Sequence, residues 1–130
     1  MRRRLARRLS NGMAARSCVG GFPARPQLFK WHGQGALPPL AAGVEILARS
    51  EAAPVEALGL AGNPRVVGIQ FDNHVGPADV DKWLQADAAW AFSGSGADPA
   101  AIMARARVVD AEMGREFRHF MANFLRLALS

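Results

Sequence analysis

Ile102, Ala106, Val109, Met113, Phe117, Phe120 and Phe124 recur at steps of three and four. That spacing places all seven on one side of a single helix, a stripe more than six turns long. Asp98-Pro99 marks its start, an N-cap residue followed by proline at the first helical position. Three phenylalanines in one line need a broad apolar partner, so the stripe predicts a helix packed on a sheet. Only Gly114 weakens it.

The strands for that sheet lie upstream. Gly43 to Gln70 reads as three short strands, "VEILARS", "VEALGL" and "RVVGIQF". Ala61-Gly62-Asn63-Pro64 is the turn between the last two. Apolar residues are nearly continuous in "VVGIQF", which predicts a strand covered on both faces. Three polar residues, Asp72-Asn73-His74, then lead into Gly76-Pro77. Pro77 with Asp79 and Asp81 starts a first helix, with Val80, Trp83, Leu84 and Ala88 on one side and Gly94 as its end. Polar residues between a strand and a helix are where many α/β folds place their chemistry, which singles out Asp72 and His74.

Charge separates the head from the body. Met1 to Val44 holds eight Arg or Lys and no Asp or Glu, while Glu45 to Ser130 holds eight basic and eleven acidic residues, a net of −3. The basic character belongs to the head, so a nucleic-acid-binding domain is not expected, because that would spread cations over one folded face. "MRRRLARRLSNGMAARS" reads as a disordered basic tail or an organellar transit peptide. Residues 1–19 are therefore expected to form a disordered head, and 20–130 the folded part. No apolar run approaches the roughly 18 residues that span a bilayer. A single cysteine, Cys18, excludes an internal disulfide and a thiol-rich zinc site, and no pair of histidines has metal-ligand spacing supported by other ligands.

Taken in order, "LFKWHG", "LPPLAAGVEILARSEAAPVEAL", "VVGIQFDNHVGPADVDKWL" and the closing "FMANFLRLA" resemble the C-terminal half of class I glutamine amidotransferase domains, over about residues 29 to 127. The family pattern runs aromatic-x-Trp-His-Gly-Asp, Leu-Pro, LA-x-S-x-x-x-P-x-x-A, and Gly-hydrophobic-Gln-Phe-His-Pro-Glu. The resemblance implies an α/β fold, the C-terminal half of a flavodoxin-like domain, with short strands followed by two helices. It implies the family reaction, hydrolysis of glutamine to glutamate and ammonia by a Cys-His-Glu triad, and no cofactor.

Matched residue by residue, Gln70 and Phe71 agree with that pattern, whereas Asp72 stands at the histidine, Asn73 at the usual proline and His74 at the glutamate. Trp31, His32 and Gly33 also agree, and Gln34 replaces the aspartate. His32 reads as structural or site-lining, and His119 as a half-exposed residue beside the stripe. The reversed order puts a carboxylate where a thiol would need an imidazole, and a carboxylate raises a thiol's pKa. The nucleophile elbow, Gly-x-Cys-x-Gly, is not matched at Cys18, which has Arg16 before it and only 12 residues between it and Trp31.

The expectation is an amidotransferase-like protein, truncated and catalytically inactive alone. A noncatalytic binding or regulatory module docking on a synthase-like partner is the other reading. Association through an unpaired sheet edge, with such a partner or with a second copy, is expected; nucleic acid and membrane are not. The compartment expected is the cytoplasm, or an organelle if the Arg-rich head is a transit peptide.

Overall fold

The computed structural model describes Leu5–Ala6, residues 26–96 and residues 98–130. Most of the expected disordered head, with Cys18, lies outside the described residues. Within them the order is β1 (Leu5–Ala6), β2 (Val44–Ser50), β3 (Ala57–Leu60), β4 (Asn63–Ile69), α1 (Pro77–Ser95) and α2 (Pro99–Ala128). The strands form one sheet in the order β1-β2-β3-β4, and every pairing is antiparallel. Short strands followed by two helices are what the fold shows.

Hairpin geometry sets the register of β3 and β4. Leu60 pairs with Asn63, so the connecting loop is only Ala61-Gly62, with Gly62 at φ +73°. That left-handed conformation is one glycine adopts freely. The turn is thus shorter than the four residues expected. Pro64 falls inside β4 rather than in the turn, and proline is tolerated there because β4 is the last strand of the sheet. The Asn63 Oδ1 accepts the Arg65 backbone N–H at 3.0 Å and tightens the corner.

Expected burial of β4 on both faces is not what the strand shows. Residues 63–66 are exposed and 67–69 half-buried, with Val66 open to solvent. The reason is the hairpin: an antiparallel edge strand needs one covered face, and its apolar residues had suggested a central parallel strand. The covered face meets α2. Val67 and Ile69 pack with Phe117 and Phe124 around buried Ala48, Ala57, Phe71 and Phe120. Phe120 touches Phe71 edge-on at 6.0 Å and stacks on Phe117 at 5.8 Å, both favourable aromatic geometries.

A second core forms where α1 crosses the first half of α2. Val75, Val80, Leu84, Ala91 and Ala106 are buried there, with Phe29, Trp31, Trp83 and Ile102 packed against them. Phe29, Trp31, Trp83 and Trp90 form a continuous aromatic cluster, with successive centroids 5.5–6.3 Å apart. Asp79 begins α1 by accepting the Gly76 backbone N–H at 3.1 Å. The helix is broken at Asp87 (φ −150°, ψ 49°) and runs past Gly94, ending at Gly96 in the left-handed conformation. Gly96 rather than Gly94 is the terminator because its N–H closes on the Phe92 carbonyl at 2.7 Å.

The start of α2 follows the sequence: Asp98 caps it through a 3.1 Å bond from the Ala101 N–H. The stripe is buried at Ala106, Val109, Met113 and Phe120. One helix of about 45 Å therefore serves both cores. Arg65 Nε donates to the Ala128 carbonyl at 2.7 Å, fastening the end of α2 to β4. His119 is exposed.

Glu116 sits awkwardly in this helix. Desolvation first, and then the charge of Glu112, hold its carboxyl above the ordinary value, with Arg115 lowering it only in part. One of its oxygens is buried without a partner among the described residues. The native state therefore keeps a proton that the unfolded chain releases, and stability falls as pH rises through the raised value. Glu116→Gln should melt higher than the parent at pH 7. The difference should vanish below about pH 4, where both states are protonated. Thermal unfolding of the two proteins across this range checks it.

Candidate functional site

Past Ile69 the chain leaves the sheet, and residues 70–76 form a turn rather than a strand extension. The two-residue alternation that would place Asp72 and His74 on one face is therefore absent. Each polar residue of Asp72-Asn73-His74 has a separate environment.

Asn73 is 2% exposed, and its side chain is fully engaged with the 27–31 segment. Its Oδ1 accepts the Phe29 N–H at 2.9 Å and its Nδ2 donates to the Gln27 carbonyl at 2.8 Å. A side-chain amide here does the work of a neighbouring strand. Asp72 continues the ladder: its N–H donates to the Phe29 carbonyl at 2.8 Å and its Oδ2 accepts the Trp31 N–H at 2.9 Å. Half-buried Asp72 thus faces backbone, not His74. His74 is exposed and rests its ring on Phe117, centroids 6.1 Å apart. The structure does not bring Asp72 and His74 together.

Gln70 and His32 are placed differently. Gln70 Oε1 and His32 Nε2 are each buried with no partner among the described residues. A Cβ on Gly35 would lie 2.8 Å from Gln70 Oε1, so a side chain there would push the end of Gln70 aside. Gly33 lies against the Trp90 ring. The "WHGQG" run is thus a close-approach segment.

Sequence reasoning missed one cluster entirely. Glu56 is completely buried at the entry to β3, and its Oε1 receives hydrogen bonds from both Lys30 Nζ and Ser50 Oγ. The Lys30 ammonium also donates to Ser50 Oγ at 3.1 Å, and its side chain is 10% exposed. Ser50 Oγ accepts two more bonds, from the N–H groups of Ala52 and Ala53 at 3.2 and 3.1 Å. The other carboxylate oxygen of Glu56 has no partner among the described residues. The signal was available: Glu56 interrupts an apolar run, Val55 to Leu58, and a charge there needs a partner. What the sequence lacked was the fold that brings residue 30 to residue 56.

A cavity of about 250 Å3 opens between residues 27–32, Trp90 and the first half of α2. Lys30 and His32 line it; Asp72 and His74 do not. Among the described residues no group of three or more His, Cys, Asp or Glu could hold a metal ion, and no helix is long and apolar enough to cross a membrane.

With this geometry in hand, the comparisons define a fold. The structure matches the crystal structure of a glutamine amidotransferase from Thermotoga maritima with a TM-score of 0.70 at 20% sequence identity. The alignment covers 98% of this chain and 50% of that one, so the chain spans about half the length of the matched protein. At that identity the likeness establishes the α/β fold of part of an amidotransferase. No family model matches the chain, and no curated protein matches it.

The buried pair carries a clear expectation. Lys30→Met strands the Glu56 carboxylate without its cation and should cost about 3–5 kcal/mol. Lys30→Met combined with Glu56→Leu should recover most of that loss, because no charge is then buried. Urea unfolding of the three proteins measures both numbers; equal losses in single and double variants would show that Glu56 is not held as a buried charge.

Proposed function

We propose that this chain is a glutamine amidotransferase-like module that does not hydrolyse glutamine by itself. The fold match supports the amidotransferase part of that reading. One observation supports the inactivity: Asp72, at the position of the family's catalytic histidine, spends its carboxylate on the Trp31 N–H while His74 lies apart on Phe117. A carboxylate committed to a backbone amide is a poor base, and one beside a thiol would hold it protonated. Asp72 serves instead as a brace for the 27–31 segment.

A second reading, a noncatalytic module that docks on a synthase-type partner, is favoured by the outer side of α2. Val108 is 73% exposed there, with Leu125 and Met121 also open, and Leu129 just past the helix end is 82% exposed. β4 also ends the sheet with its outer edge unpaired among the described residues. A match to half of a longer protein is consistent with a face that another polypeptide covers. Self-association through β4 is the weaker form of this idea, because Pro64 and Arg65 blunt that edge.

Glutamate release from glutamine by the purified chain tests the first reading. No release above the buffer rate is expected, and none from Asp72→His combined with His74→Glu. Release by the parent chain that disappears in Cys18→Ser would overturn the proposal.

A further inference from the structure

The cavity beside α2 has walls of two kinds. Trp31 and Trp90 present aromatic surface, and Ile102 and Met113 close the apolar side. The polar groups that line it are Gln27, Lys30, His32 and Arg105, and no Asp or Glu is among the lining residues. Lys30 is spent on Glu56. Arg105 is not: its guanidinium bonds the neutral Gln27 Oε1 at 2.9 Å, and it has no carboxylate partner among the described residues. A guanidinium has five N–H donors, and one of them is accounted for. His32 Nε2 is buried without a partner among the described residues.

A cation with unused donors beside aromatic rings makes a recognisable chemistry. A guanidinium with unused donors pairs strongly with a carboxylate. The volume is below the roughly 300–1,000 Å3 of drug-sized sites, which limits the occupant to about one substituted ring. We propose that this cavity binds a small carboxylic acid with a flat apolar body. Its carboxylate engages Arg105, and its ring lies against the aromatic wall that Trp31 and Trp90 form together. Asp72 and His74 take no part, so this site stands or falls independently of glutamine hydrolysis.

Benzoate is the probe, with benzamide as its neutral isostere, titrated into the 15N-labelled full chain. The chain has three tryptophans, and two of them line the cavity. Benzoate should shift the indole N–H signals of Trp31 and Trp90 saturably and that of Trp83 less. Benzamide should bind roughly tenfold more weakly or worse, and Arg105→Gln should weaken benzoate by a similar factor. Equal binding of the two probes, no saturable shift at tens of millimolar benzoate, or unchanged benzoate binding in a folded Arg105→Gln would each overturn the proposal. If Arg105→Gln does not fold, the benzoate-to-benzamide comparison on the parent chain decides alone.

Discussion

Asn73 is the contact on which the arrangement depends. The 27–31 segment belongs to no regular strand, yet it supplies Phe29 and Trp31 to one core and Lys30 to the buried ion pair. Its backbone groups would be unsatisfied against the 70–76 turn without a partner of the right shape. The Asn73 amide provides both a donor and an acceptor in one plane, and Asp72 extends the pairing by two more bonds. Position 73 therefore couples the aromatic cluster, the turn and the entry to α1. Aspartate in its place would lose the donor to Gln27, and leucine would lose everything but volume.

Much of the fold was legible because it rests on local rules. The stripe from Ile102 to Phe124, the Asp98-Pro99 start and the Pro77 start are periodicity and capping, which depend on neighbours within four residues. The three strands were legible for the same reason. What misled was β4: Val66, Val67 and Ile69 form an apolar run whose one-sided burial is decided by where α2 lies, and no local rule contains that. The C-terminal end of α1 was misplaced for a smaller reason. Gly94 and Gly96 are both plausible terminators, and only the hydrogen bond to Phe92 distinguishes them.

The site was less legible than the fold. Motif order identified Asp72 and His74 as the informative positions, and the structure makes them informative in a different sense. Motif position singled them out, and the strand that would have set them side by side stops at Ile69. The Lys30–Ser50–Glu56 cluster joins three segments up to 26 residues apart, a relation that spacing rules do not reach. Arg105 and His32 share a cavity wall across more than 70 positions for the same reason.

Because α2 serves both cores, it also phases them. Each added residue turns the helix by about 100°. An insertion near Gly114 would leave Ala106 and Val109 seated against α1 while swinging Phe117, Phe120 and Phe124 off the sheet. The Ala61-Gly62 loop carries no such burden, since added residues there only widen a surface turn. Length variation among related chains should accumulate in the hairpin and be excluded from the last helix. In α2 the chain behaves as a camshaft, in which angular setting matters more than the identity of any one exposed residue.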